Sequence, residues 1–157
     1  MAVYYLDTSA LVKLYVEEPG TSVVIDLASD LDNDRLAILD LARIEFRAAV
    51  RQRERSEDIA PAQASQLLSQ FEEHLAEIFS TQPSNASVVE EASRLLDQHP
   101  LRAYDAVQLA GAIVLKASGL PELTFVCADK QLLQVARAEG LDVINPEVRE
   151  EELAVEG

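Results

Sequence analysis

Four acids, Asp7, Glu45, Asp105 and Asp129, stand where a carboxylate could do chemistry. Asp7 ends the apolar run Val3 to Leu6, and Asp129 follows Leu123-Thr-Phe-Val-Cys127. Open α/β sheets place ligand sites at the C-terminal ends of their strands, so both positions suit a site. Each acid also precedes a helical pattern, where Asp is a good N-cap, and both readings stand. Asp105 falls in the first turn of a helix, where an anion meets the positive end of the dipole. It shares a face with Leu109 and Ala112, an inward-looking stripe on which an acid needs a partner. Glu45 has the weakest local explanation. Spacing assigns Leu41, Ile44, Ala48 and Ala49 to the apolar stripe of its helix, with Glu45 inside it. Its i+4 neighbour is Ala49, so no helical ion pair accounts for it.

Clustered carboxylates repel and raise each other's pKa unless a cation stabilises them as anions. Oxygen ligands without His or Cys suit a hard ion such as Mg²⁺ or Mn²⁺. Such ions promote phosphodiester cleavage by activating water and neutralising charge on the phosphoryl group. Other chemistries lack their residues. There is no Gly-rich phosphate loop and no Gly-x-Ser-x-Gly elbow. His74 and His99 stand apart from other catalytic types and read as surface residues, while the lone Cys127 reads as a small core hydrophobe.

An RNA or DNA substrate needs cations, and here composition opposes it. The chain has 28 Asp+Glu against 13 Lys+Arg, a net charge of −15. Nucleic-acid contact must then come from a local patch. Arg43, Arg47, Arg51 and Arg55 recur every four residues as a stripe turned away from Glu45. Two readings stand: a phosphate contact, or a solvated face paired with acids such as Glu54 and Glu57. Phe46 and Val50, off the assigned core stripe, read as a subunit or partner surface.

The elements that must position these residues alternate. Strands are expected at Val3–Leu6, Leu36–Leu39, Ile78–Thr81, Leu123–Cys127 and Asp142–Ile144. Helices are expected over 8–16, 21–31, 40–55 with Asp40 as N-cap, 61–75 with Pro61 at N1, 86–97 after Ser84 or Asn85, 103–117 and 130–139. Short strands alternating with helices imply a parallel sheet covered on both faces, an α/β fold. Residues 1–146 read as one domain, and 147–157, with five acids and one base, as a frayed acidic tail. No apolar run approaches the roughly 20 residues of a membrane span. The N-terminus lacks a basic leader, and a cytoplasmic location is expected.

The segments Tyr-Leu-Asp7-Thr-Ser-Ala-Leu-Val-Lys, Leu-Ala-Arg-Ile-Glu45-Phe, Leu-Arg-Ala-Tyr-Asp105-Ala-Val-Gln-Leu-Ala and Phe-Val-Cys-Ala-Asp129-Lys-Gln-Leu together resemble the PIN-domain family. Within it, they are most similar to the VapC-type toxins of bacterial toxin–antitoxin pairs. The resemblance runs from the first strand to Val-Ile-Asn-Pro near the end, with the four segments in the right order. It implies a central parallel sheet of order 3-2-1-4-5 with helices on both faces. It also implies an Mg²⁺ or Mn²⁺ site made of Asp7, Glu45, Asp105 and Asp129, and hydrolysis of RNA. Thr8 and Ser9 match hydroxyl positions that support the first acid, and a homodimer and a small antitoxin are the implied partners. Two positions depart from the pattern: Asp40 and Cys127 stand where Ser or Thr is common, and Cys127 is a poorer hydrogen-bond partner for the turn to Asp129.

Two other functions are compatible with this fold. One is a non-catalytic PIN-fold binding module. The other is an Asp-nucleophile phosphatase, which wants a second Asp two residues after Asp7, where Ser9 stands.

Overall fold

The computed structural model describes all 157 residues. In chain order the elements are β1 (Val3–Leu6), α1 (Thr8–Val12), α2 (Thr21–Leu27), β2 (Arg35–Leu39), α3 (Ala42–Arg55), α4 (Pro61–Glu77) and β3 (Phe79–Gln82). There follow α5 (Ala86–Gln98), α6 (Ala103–Ala117), β4 (Leu123–Val126), α7 (Lys130–Ala138), β5 (Asp142–Ile144) and α8 (Pro146–Glu156). The five strands are parallel and ordered β3-β2-β1-β4-β5, the order that the family resemblance implies. The chain builds outward from β1 to β3, then crosses back to lay β4 on the other side of β1. The boundary between β1 and β4 is thus a topological switch point, where α/β sheets leave a crevice.

Strand alternation separates two cores. Val3 and Tyr5 of β1, Ala37 and Leu39 of β2, and Leu123 and Phe125 of β4 pack under α5, α6 and α7. Leu6, Leu36, Ile38 and Val126 face the opposite way, against α1, α3 and α4. Burial on both faces explains why these strands read as continuous apolar runs. Helix α6 lies close to the sheet at Gly111, where a Cβ would run into the Tyr5 hydroxyl and come within 2.9 Å of Leu39 Cδ1. No helix is long and apolar enough to cross a membrane.

Several sequence expectations need correcting. Helix α1 ends at Val12 and α2 at Leu27, each shorter than the apolar spacing implied; turns carry the rest. Asp40 does not cap α3: it accepts the Leu41 N–H at 2.7 Å and the Ser84 N–H at 3.1 Å, tying two turns together. Residues 147–157 are not frayed but form most of α8. Asn145 caps this helix, Pro146 opens it, and Glu150 accepts the Gly20 and Ser22 N–H groups at 3.0 and 3.2 Å. Acids counted as solvated tail charges therefore anchor the helix, although Leu153 and Val155 remain exposed.

Candidate active site

Strand β1 hands the chain to α1 at Asp7, whose N–H donates to the Val126 carbonyl of β4 at 3.1 Å. The Asp7 side chain is 6% exposed. Its Oδ1 accepts the Ala10 N–H at 3.0 Å, capping α1, and the Ser9 hydroxyl at 2.7 Å. Burial raises its pKa above the ordinary Asp range despite hydrogen bonds from Cys127, Ser9 and Ala10, and the charge of Asp105 raises it further. Capping and an active-site role are thus compatible in one residue.

Asp105 sits in the first turn of α6, half-buried. Desolvation raises its pKa, the Asp129 charge adds to that, and Arg102 opposes both. Asp105, Asp129 and Arg102 line one small cleft of about 100 Å³ with Pro100, Gln131 and Leu132. Asp129 is exposed and caps α7 by accepting the Leu132 N–H at 3.0 Å. Cys127, fully buried, takes the Asp129 N–H on its sulfur at 3.3 Å, so the thiol does orient this turn. Burial, first, and then the Asp7 charge push the Cys127 pKa far up, keeping it a neutral thiol.

Glu45 is half-buried in the first turn of α3. The reason given for it from spacing does not hold. The buried face of α3 is Ala42, Phe46 and Val50, all fully enclosed, while Ile44 is 65% exposed. Phe46 and Val50 are therefore core, not a partner surface. Phe46 packs tilted against Phe71 at 4.2 Å and edge-on to Tyr15 at 5.0 Å, measured between ring centroids. An aromatic ring has more apolar area to bury than Ile or two alanines, and it sets the rotation of the helix. Glu45 is left on the flank of that face, beside Tyr104, whose hydroxyl feels the charges of both Glu45 and Asp7.

The four acids thus form a chain of neighbours: Asp7 to Asp105, Asp105 to Asp129, and Asp7 and Glu45 about Tyr104. No three of them approach closely enough to enclose an ion by themselves. The donor set still fits Mg²⁺ or Mn²⁺, because Mg²⁺ commonly takes one or two carboxylates and keeps several waters. A cation there would also offset the burial, and the smaller mutual repulsion, that raise the pKa of Asp7 and Asp105.

The hydroxyls divide their work. Ser9 bonds Asp7 and also accepts the Ala128 N–H at 3.1 Å, joining the two strand ends. The Thr8 hydroxyl makes no hydrogen bond to Asp7. Its Oγ1 accepts from Gln108 Nε2 at 3.1 Å and lies 3.4 Å from the Tyr104 hydroxyl. Tyr104, Gln108 and Arg102 were not singled out from the sequence. Gln108 could have been, because it interrupts the apolar run of α6 and is only 1% exposed.

Most of the arginine stripe is paired. Arg43 and Arg47 reach Glu72 of α4 at 2.8 and 3.7 Å, and Arg51 reaches Glu54 at 2.7 Å; only Arg55 makes no ion pair. The histidines are not free surface groups either. His74 Nδ1 lies 2.6 Å from the Tyr15 hydroxyl, and His99 Nε2 lies 2.8 Å from Glu139.

Comparison with known proteins agrees with this architecture. Residues 4–138 match the PIN domain family. Two curated proteins of Mycobacterium tuberculosis, Ribonuclease VapC45 and Ribonuclease VapC49, are each 35% identical over 147 residues, covering 91% of this chain and 95% of their own. Among solved structures, PAE2754 from Pyrobaculum aerophilum superposes with a TM-score of 0.63 at 26% identity, over 98% of this chain and 96% of that one. FitAcB from Neisseria gonorrhoeae gives 0.64 at 19% identity over 91% and 97%, a likeness of fold. With the strand order, the switch-point acids and these relatives in agreement, the chain belongs to the PIN-domain family and, within it, to the VapC type.

Proposed function

We propose that this protein is an Mg²⁺- or Mn²⁺-dependent endoribonuclease that hydrolyses RNA phosphodiester bonds, the toxin of a type II toxin–antitoxin pair. The observation that carries the reading is Asp7, a buried carboxylate at the switch point whose pKa is raised by burial and by Asp105. Two curated relatives at 35% identity are named as ribonucleases, which supports it.

Asp7, Glu45, Asp105 and Asp129 would hold the cation, directly or through its waters. A bound ion supplies an activated water and neutralises charge on the phosphoryl group. Ser9 fixes Asp7 relative to the β4–α7 turn. Arg102 at the cleft offers the substrate a cation that the acids lack. The proposed partners are RNA, a small cognate antitoxin and a second copy of the chain, in the cytoplasm. Solved complexes named as VapBC, and one named as a toxin–antitoxin complex, share the fold, which supports the antitoxin. The exposed Ile44 beside the arginines of α3 suits a protein partner better than RNA does.

The test is cleavage of RNA with Mg²⁺ or Mn²⁺ against EDTA, with p-nitrophenyl phosphate alongside. Asp7→Asn and Asp105→Asn should abolish divalent-dependent cleavage with circular dichroism unchanged. Full activity in EDTA, or in both variants, would overturn the metal mechanism. A non-catalytic binding module is the second reading, favoured by the spacing that keeps any three acids from enclosing an ion. RNA that is bound but never cut by the wild type would select it. Turnover of p-nitrophenyl phosphate alone would select a phosphatase.

A further inference from the structure

The floor of the site holds a polar network that none of the four acids explains. Gln108 of α6 is 1% exposed, and burying an amide is costly unless its hydrogen bonds are made. Its Oε1 accepts from the Tyr5 hydroxyl at 3.5 Å. Its Nε2 donates to Thr8 Oγ1 at 3.1 Å and to the Tyr104 hydroxyl oxygen at 3.0 Å. Thr8 Oγ1 and the Tyr104 oxygen lie 3.4 Å apart, so one hydroxyl donates to the other.

Counting hydrogens leaves one over. Tyr5 spends its hydroxyl hydrogen on Gln108, and Gln108 spends both amide hydrogens on Thr8 and Tyr104. Thr8 and Tyr104 bring two more, of which their mutual contact takes one. The remaining O–H has no acceptor in the chain. It belongs to a half-buried residue pair at the switch point, with Tyr104 beside Asp7 and Glu45. A neutral donor among carboxylates is useful to an anionic substrate, because it binds a phosphate oxygen without competing for the acids.

We propose that Thr8 donates to Tyr104 across their 3.4 Å contact, which leaves the Tyr104 hydroxyl as a substrate-contacting group that donates to a non-bridging phosphate oxygen of the RNA. Gln108 is then a positioning residue: it occupies both oxygens as acceptors and so turns the spare hydrogen outward. The inference rests on the ribonuclease reading above and adds a contact that the metal site does not supply.

Tyr104→Phe removes the oxygen, and with it one acceptor of Gln108 and the partner of Thr8. The probe is a fluorescein-labelled oligouridine, followed by anisotropy with wild type and variant in EDTA, then by cleavage in Mg²⁺. Losing one hydrogen bond to a charged acceptor should weaken binding about tenfold, and raise KM or lower kcat to match. The melting temperature should fall somewhat, because Gln108 loses an acceptor, so binding and cleavage are compared per folded molecule. Gln108→Leu should produce the same binding loss together with a lower melting temperature. If Tyr104→Phe binds and cuts like wild type, or loses activity only in proportion to folded protein, the contact does not exist. If wild type neither binds nor cuts any RNA, the ribonuclease reading fails and this inference falls with it.

Discussion

The Ser9 hydroxyl donates to Asp7 Oδ1 at 2.7 Å while accepting the Ala128 N–H at 3.1 Å, so one side chain bonds both sides of the switch point. Ser9→Ala strips a bond from a buried carboxylate and leaves the Ala128 N–H short of an acceptor. Unsatisfied buried groups cost about 1–3 kcal/mol, and urea denaturation should show a loss of that size. Divalent-dependent cleavage should fall as well, and Ser9→Thr should restore much of both. Equal stability and activity in Ser9→Ala would mean that the tie contributes nothing.

Asp7 allows the cost of the site to be read by titration. Burial and Asp105 raise its folded pKa, so the folded state holds the Asp7 proton more tightly than the unfolded chain does. Stability is therefore lost as pH climbs from the unfolded pKa, about 4, through the raised folded value, and the full cost applies above it. Asn caps a helix about as well as Asp, so Asp7→Asn removes the charge and keeps the cap. In EDTA at neutral pH the variant should melt higher than wild type, and the gap should close as the pH falls towards about 4. Added Mg²⁺ should stabilise wild type more than the variant. Asp129→Asn, at an exposed position, should change the melting temperature little. A Tm for Asp7→Asn below that of wild type in EDTA at neutral pH would refute the cost assigned to the buried Asp7 charge.

The contrast between Asp7 and Glu45 shows what a sequence can disclose. The strand ends, the cap at Asp129 and the parallel sheet were legible because apolar runs and N-caps are local signals. The four acids are proposed as a site through the family resemblance, and the fold brings them into a chain of neighbours. The rotation of α3 was not legible, because it depends on Phe46 finding Phe71 and Tyr15, residues 25 and 31 positions away. Nor did α8 show itself, because its acids look solvated until Gly20, Ser22 and Lys13 are brought to them. Gln108 left a visible mark as a polar break in an apolar run, but its partners Tyr5 and Thr8 lie about a hundred residues away.

Gly111 sets how closely α6 approaches the sheet. A Cβ there would meet the Tyr5 hydroxyl, and Leu39 Cδ1 at 2.9 Å. Overpacking of this kind costs about 1–3 kcal/mol. Because α6 also carries Tyr104, Asp105 and Gln108, Gly111→Ala should lower both the denaturation midpoint and the cleavage rate of the fraction still folded. A variant that loses stability yet keeps full activity per folded molecule would show that α6 shifts without moving the site.

The charges near the site make opposite predictions for two sets of arginines. Arg102 lines the cleft with Asp105 and Asp129, whereas Arg47 and Arg51 already face Glu72 and Glu54. If Arg102 contacts a phosphate, Arg102→Gln should weaken RNA binding and reduce the slope of log K against log salt by about 1. Changing Arg47 and Arg51 together to Gln should leave that slope alone, and exposed ion pairs of this kind stabilise by only about 0–1 kcal/mol. Loss of antitoxin binding or of dimer in the double variant, seen by light scattering, would assign α3 to a protein partner. A flattened salt slope in the α3 variant instead would return the stripe to RNA.

Lys13 decides whether α8 is anchored. It is only 4% exposed, with Nζ 3.0 Å from Glu18 and 3.6 Å from Glu147, and Glu18 also accepts Arg53 at 3.0 Å. Gly20 packs into the same corner at φ 92°, where a Cβ would come within 3.1 Å of the Glu147 nitrogen and of Lys13 Cδ. Removing one partner of a fully buried ion pair costs about 3–5 kcal/mol. Glu147 is partly solvated, so Lys13→Met should cost less, about 1–3 kcal/mol. The loss should be local: amide hydrogen exchange should quicken across Glu147–Glu156 before it does in β1 or β4. Acid should act on the same contact, because hydrogen bonds from Ser22 and Gly20 hold the Glu150 pKa low. A depressed carboxylate stabilises above its unfolded pKa, about 4.3, and that contribution is lost as pH falls through the folded value. Protection of α8 in wild type should therefore drop in acid, and Glu150→Gln should abolish that pH dependence. If exchange in α8 is as slow in Lys13→Met as in wild type, the helix is held by its apolar contact with α2 and not by this charge cluster.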